Sequence, residues 1–515
     1  MFVVRMYPLD AVPTDSSDGA VLPSRLPYFG NPHSRRRSRS RRERFAVLHA
    51  GVGRNDNVRR TEGLLPGVPP IFYIALVFVY IPFPLHLPRT AYVRLYERRA
   101  LCYTGRMKLW LKYLIGVLLG IALSFAVPST SEAASSALAF ITEVIVRFGR
   151  YIVVPLIFFT AMTAVNKLRE SKMILKTGIW TAAVTVASAL LLTFIGLVAI
   201  LAIRLPRIPI TADKAAEAAS LNINDLIRAL FPSSAFETLI NGTFLFPAFL
   251  FACFSGGACT GDQAAFRPIV TITDALSKLC YNIVTLFTEV LSIGMIAVMC
   301  SWAIQFRTVV TGGTFVPLIL LLFGILILVA GGIYPVLLHY ICHDPHPYRV
   351  LYASLCSIIT AFFSGDTNFV LPINMRAGKE SLGIRRRING IAYPLFSIFA
   401  RGGAALIVTV GFVVIWRSYA YQRIPVSNIL WIYCMSIGLS FLLGGLPSGG
   451  PFIALTVLCT LYGRGFETGY LLLRPVAPIL CSFAAAFDVL SAMFGSYIVG
   501  VKTHMIEHHS VQHFI

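Results

Sequence analysis

An all-α polytopic membrane protein is expected from three features of this 515-residue chain. The first is composition: 56% of residues are hydrophobic and 13% charged, whereas an ordinary soluble domain carries about 25% charged residues. The second is the recurrence of apolar runs of about 20 residues, the length at which a helix crosses a hydrocarbon core of ~30 Å. The third is a pair of apolar stretches in the C-terminal half, each broken by a polar patch that a helix tolerates poorly. One patch is Phe363-Ser364-Gly365-Asp366-Thr367-Asn368; the other is Gly444-Gly445-Leu446-Pro447-Ser448-Gly449-Gly450-Pro451. Lipid leaves free peptide groups unsatisfied, so a helix broken at membrane depth must line a protected cavity. Paired breaks in corresponding halves of a membrane chain point to a solute site.

Along the chain, spanning segments are expected at about 109–127, 138–166, 176–203, 234–257, 274–304 and 313–341. The second carries Arg147, Arg150 and Pro155, so part of it faces protein or the interface. Residues 205–232 are polar, with Pro206, Pro209 and Asp225, and read as an extramembrane connection. Beyond 347 the pattern changes. Val350–Thr360 and Phe369–Met375 flank the first patch as two half-helices, the pattern of a re-entrant hairpin. Residues 385–417 form a long segment interrupted at Ala400-Arg401-Gly402-Gly403, 427–463 a second hairpin, and 469–501 a last helix carrying Asp488. Hairpin plus interrupted helix, then hairpin plus polar helix, reads as an internal repeat.

The net charge of +21 invites a nucleic-acid reading, but its distribution argues against one. Residues 1–106 hold 17 Arg, no Lys and 7 acidic residues, and the remaining excess lies largely in loops such as Arg385-Arg386-Arg387. Basic loops of a membrane protein report cytoplasmic orientation. The run Arg35–Arg44 reads as disordered, and prolines 82, 84 and 88 spoil Ile71–Leu87 as a span. Met107–Lys112 then opens an apolar run, a natural start for a bacterial membrane protein. Residues 1–106 are therefore expected to be an over-extended start, the alternative being a basic tail for anionic lipid or nucleic acid. The ten cysteines form no C-x-x-C and sit mostly in apolar runs, as small buried hydrophobes do. The tail histidines 504, 508, 509 and 513 match no tight metal spacing, and no phosphate loop, nucleophile elbow or HExxH occurs, so neither a metal site nor enzymatic catalysis is expected.

Residues 371–406 read LPINMRAGKESLGIRRRINGIAYPLFSIFARGGAAL. Leu371-Pro372, Arg376, Glu380, Leu382-Gly383, Arg386-Arg387-Ile388, Gly390 and Pro394-Leu395 resemble, without a gap, a stretch of the dicarboxylate/amino acid:cation symporters, the glutamate-transporter family. Tyr151–Thr163 is similar to that family's second helix, Phe231–Glu237 to the turn before its fourth, and Gly445–Gly450 to its second hairpin tip. The resemblance spans roughly 107–501. It implies eight membrane helices and two re-entrant hairpins in inverted repeats, assembled as a homotrimer in the cell inner membrane. It also implies a division of labour: 107–345 mainly scaffold and trimerisation helices plus the start of the transport domain, 346–501 the transport core, 502–515 a tail. Solute would be held between the hairpin tips and carried by an elevator movement.

The resemblance places solute contacts on Ser364, Gly365, Asp366, Thr367, Arg401, Pro447, Ser448, Gly449, Gly450 and Asp488. Coupling positions fall on Ala400, Gly402 and Asp488, where the family's cation-binding Asn and Asp are here Ala400 and Gly402. In the last helix the family's D-x-x-R-T-x-x-N-V-x-G-D falls on Cys481, Ala484, Ala485, Asp488, Val489, Ser491 and Ala492. Sodium needs several oxygen ligands, usually including carboxylate; with both carboxylates gone from their usual places, those cation sites are expected to be lost. Asp366, Arg401 and Asp488 remain, and a charge at membrane depth costs at least ~3 kcal/mol unless paired. Arg401 is therefore expected near Asp366, Asp488 or both. It would serve as a buried salt bridge, as a direct contact for an anionic solute, or beside a proton-carrying carboxyl. The expected function is a secondary transporter, symporter-like, for a small organic acid or amino acid, with no cofactor and sodium or a proton as possible coupling ion. Its expected partners are the solute, membrane lipid and its own copies, and not nucleic acid. The alternative is a non-transporting or channel-like descendant, a sensor or an anion pore.

Overall fold

The computed structural model describes residues 107–127, 132–203, 205–209, 245–261, 263–420, 424–443 and 449–507, with Ser234, Glu237, Leu239, Leu446 and Phe514. All belong to one compact unit, Thr90–Ile515. The expectations for 1–106, most of 205–232, the turn at 231–237 and tail residues His508, His509 and His513 lie outside the described residues.

Among the described residues the regular structure is helical throughout. Seven helical spans among the described residues are long and apolar enough to cross a membrane. The chain begins with α1 (Leu109–Ala126), α2 (Glu132–Tyr151) and α3 (Val153–Glu170). α2 and α3 together make one span. They part at Ile152 because Pro155 has no N–H to bond the carbonyl four residues back. α4 (Ile174–Ala202) follows, then α5 (Leu245–Ala258) and α6 (Gln263–Thr311). At 49 residues α6 is about 70 Å long, more than twice the hydrocarbon core. Its apolar signal, 274–304, covers only the middle, since both ends are polar.

α7 (Val316–Leu328) and α8 (Tyr334–Cys342) are joined by a π-turn at Val329–Ile333. Gly331 and Gly332 mark where the ladder widens within the span expected at 313–341. The C-terminal half contains α9 (Tyr348–Ser364), α10 (Thr367–Glu380), α11 (Arg386–Phe399) and α12 (Gly402–Tyr419). It continues with α13 (Val426–Leu443), α14 (Gly450–Tyr462), a 3₁₀ segment Gly469–Val476 and α15 (Ala477–Lys502). The α9–α10, α11–α12 and α13–α14 junctions fall at the interruptions expected from sequence.

Burial separates these spans sharply. Within an apolar 18-residue stretch of each span, the share of residues buried is 94% for Arg386–Tyr419 and 89% for Gly469–Lys502, against 33–44% for the other five spans. α15 packs against α9, α11 and α12, and α12 lies against α4. α1 runs along α6, tied by Tyr113 donating to the Thr288 carbonyl at 2.9 Å. Lys112 pairs with Glu289, and Glu289 also meets Arg376 of α10 at 3.1 Å. Arg376 additionally donates to Thr288 Oγ1 at 2.5 Å and pairs with Glu380 at 3.2 Å. This network fixes α10, and with it the first interruption, against α1 and α6.

Candidate functional site

The first interruption is built by three adjacent residues with different duties. Gly365 ends α9 in the left-handed conformation (φ 63°), where a side chain would be strained. Asp366 is extended and caps α10, its Oδ1 accepting from Asn368 N at 2.9 Å. Thr367 is the first residue of α10. The other carboxylate oxygen of Asp366 accepts from Arg150 Nε at 2.5 Å. Asp366 is buried, while Arg150 at the end of α2 is 29% exposed.

The second interruption puts Ala400 and Arg401 in non-helical conformations between α11 and α12. Breaking a helix exposes carbonyls on one side and N–H groups on the other. Arg401 and Asp488 serve both ends. The Asp488 Oδ1 accepts from Gly403 N at 2.7 Å, placing a carboxylate at the N-terminus of α12. Arg401 turns its Nε toward the Ile398 carbonyl at the C-terminus of α11, at 3.5 Å. Each charge thus sits at the dipole end that favours it. The two are 3.7 Å apart, Arg401 Nη1 to Asp488 Oδ2, and both are buried. Arg401 Nη1 also donates to Thr367 Oγ1 at 2.6 Å, linking this break to the first. Gly403 is required by packing: a Cβ there would lie 2.4 Å from the Ala484 carbonyl oxygen.

The expectation that Arg401 lies near Asp366, Asp488 or both is met by both: Asp488 is within ion-pair distance and Asp366 is a second electrostatic neighbour, whose own direct partner is Arg150. Sequence reasoning placed Arg150 against protein or the interface without naming its partner 216 residues away. Ala400 and Gly402 are both buried and offer no side-chain oxygen. Of the second tip, Gly449 and Gly450 are described, Gly449 with φ 84°; Pro447 and Ser448 lie outside the described residues.

A cavity of about 480 Å³ opens beside these breaks. Ser364 and Gly365 of the first tip and Gly449 of the second line it, with Arg474 and Ser482 from the last span and Trp302 from α6. Trp302 Nε1 donates to Ser482 Oγ at 3.0 Å and closes one wall. Arg474 is the one charged lining residue among the described residues, and its guanidinium carries no hydrogen bond or ion pair to them. Asp366, Thr367, Arg401 and Asp488 stand outside this lining. Arg474, Trp302 and Ser482 were not singled out from sequence, since an Arg at a span end reads as a loop charge.

The family model described as the sodium:dicarboxylate symporter family matches residues 109–501. The chain belongs to that family. It is a multi-pass membrane transporter rather than an enzyme, in a family of small-solute carriers. Among relatives of this symporter-family chain is the "Serine/threonine transporter SstT" of Lacticaseibacillus casei, 24% identical over 412 residues, covering 78% of this chain and 85% of the relative. The protein of the same name from Enterococcus faecalis is 25% identical over 416 residues, covering 78% and 88%. An "Uncharacterized symporter" of Haemophilus influenzae is 24% identical over 427 residues, covering 77% and 94%.

Proposed function

We propose that the chain is a secondary transporter that moves a small organic acid or amino acid through the cytoplasmic membrane, loading it in the cavity between the two tips. The observation that carries this reading is the meeting of Ser364, Gly365 and Gly449 around one 480 Å³ space with a free guanidinium, Arg474, on its wall. A carboxylate entering that space finds a cation able to bind it in bidentate fashion. The relatives' names put serine and threonine at the head of the solute panel, and the family's description adds dicarboxylates.

The Arg401–Asp488 pair has a separate role. With Ala400 and Gly402 supplying no side-chain oxygen, the guanidinium stands as a built-in cation where the resemblance places a mobile one. Any sodium dependence must then use other oxygens, and Asp488 is the acid through which a proton would act. Movement is by an elevator: 107–345 mainly scaffold within a homotrimer, and 346–501, with eight membrane helices and two re-entrant hairpins counted over the whole body, carrying the solute. On this division the Arg150–Asp366 pair crosses from scaffold to moving part and must break at each transit. The replaced cation ligands favour one second reading, an uncoupled anion pore or sensor.

Purified protein in proteoliposomes decides between them. Labelled serine, threonine and dicarboxylates are offered under imposed sodium or proton gradients. Accumulation above the outside concentration is expected, reduced by Arg474→Gln. Flux that only equilibrates, with no accumulation under either gradient, would overturn the carrier in favour of the pore.

A further inference from the structure

A second cavity, of about 220 Å³, lies where α3, α6 and the start of α11 meet. Thr163 and Lys167 of α3, Asp274 of α6, and Arg385, Arg386 and Arg387 line it. It belongs to the opposite end of the spans from the solute cavity. Ser301 of the first cavity and Asp274 of the second stand on the same helix, α6, separated by about 40 Å of helix rise.

The walls are held by close backbone packing. A Cβ on Gly390 would lie 2.7 Å from the Thr160 carbonyl oxygen, so α11 rests directly on α3. Tyr281 of α6 donates to Asn389 Oδ1 at 3.2 Å, and Asn389 Nδ2 donates to the Met375 carbonyl at 2.9 Å. The start of α11 is therefore fixed beside both other helices.

Three observations give this space an anion's chemistry. First, positive charge is in excess. Asp274 is shared by Lys167 and Lys278, and Arg385 pairs with Glu507, while Arg386 and Arg387 meet no carboxylate among the described residues. Second, the 14-residue helix α11 begins here with no side-chain cap, and the N–H groups of Arg386 and Arg387 donate to no described residue. A helix start of this kind attracts anions. Third, Thr163 is 8% exposed and its hydroxyl has no hydrogen-bond partner. A buried hydroxyl left unpaired carries a desolvation penalty that a ligand oxygen relieves.

We propose that this cavity binds a phosphate-bearing anion, as inorganic phosphate or as the headgroup of an anionic lipid. Arg386 and Arg387 supply guanidinium and backbone donors from above, and Thr163 meets the oxygen directed inward. Donors converging from different sides suit a tetrahedral group with several oxygens. The volume holds such a group with a few waters, each taking ~30 Å³ in the liquid. Lys167, Arg169, Lys172 and Lys379 crowd the same end, which the positive-inside rule makes cytoplasmic, the side of anionic headgroups. The site is separate from the solute cavity and does not depend on transport.

Purified full-length protein provides the test, with thermal midpoint as readout. In one arm inorganic phosphate is titrated against chloride at constant ionic strength. In the other, phosphatidylcholine nanodiscs are compared with and without phosphatidylglycerol. A saturable rise in the first arm assigns free phosphate; a rise in the second assigns the headgroup. The Arg386→Gln/Arg387→Gln variant weakens the effective arm by about tenfold or more. Thr163→Val weakens it while leaving the surface charge intact, which separates a built site from general attraction. No rise in either arm, or an equal rise in both variants, overturns the proposal.

Discussion

The inner spans, Arg386–Tyr419 and Gly469–Lys502, and the outer spans are made of the same kinds of residue, yet they treat charge differently. In the inner pair Arg401 and Asp488 are almost fully enclosed and have each other within 3.7 Å. On the outer spans Glu143 and Arg147 are 58% and 76% exposed and paired at 2.5 Å. Such an exposed pair contributes at most about 1 kcal/mol. The lesson is that the same ionic contact is incidental outside and obligatory inside, because an enclosed charge has no solvent to fall back on.

The largest effect should come from unpairing the enclosed charges. Arg401→Met leaves Asp488 buried without its guanidinium and should cost ~3–5 kcal/mol, read as a lowered unfolding midpoint in detergent. The double variant Arg401→Met/Asp488→Leu should recover much of that loss, since replacing both ions by apolar groups is often neutral. If the double variant is stable but fails to accumulate solute, the pair serves transport beyond holding the break; if it transports normally, the pair is structural only.

Next in size is Gly403→Ala, whose added Cβ meets the Ala484 carbonyl oxygen at 2.4 Å and Phe487 Cβ at 2.5 Å. Overpacking of this kind costs ~1–3 kcal/mol. A neutral result would mean that α12 and α15 separate more easily than their burial indicates.

Between inside and outside lies the Arg150–Asp366 contact. Asp366→Ala removes both the cap of α10 and the ion pair and should cost about 2 kcal/mol. Asp366→Asn keeps an oxygen for the cap and should cost less. On the elevator reading that variant also shifts the balance of scaffold-docked and displaced states, visible as altered cross-linking between cysteines placed on α2 and α10. Unchanged cross-linking would make the contact a mere surface tie.

Smallest of all should be Ile327→Ala on α7, where the side chain is 70% exposed. A change within about 0.5 kcal/mol is expected for an outward residue. A larger loss, accompanied by a shift in oligomeric state, would identify this face as a contact between copies.

Residues 363–368, 400–403 and 444–451 disclosed their breaks in the primary structure because the cause is local. Gly365 and Gly449 favour positive φ, Asp366 caps the following helix, and runs of small and polar residues cannot sustain an apolar span. Membrane insertion was equally legible, being a matter of apolar length. Which spans lie inside was not. Val316–Cys342 is more apolar than Arg386–Tyr419 and still far less buried, because lipid tails satisfy an apolar face as well as a protein core does. Nor could the chain order say that Asp488 takes Arg401 while Asp366 takes Arg150, or that Arg474 stands unpaired on the cavity wall. Those pairings are set by which helices pass close in space, and electrostatic energy depends on that distance rather than on separation along the chain.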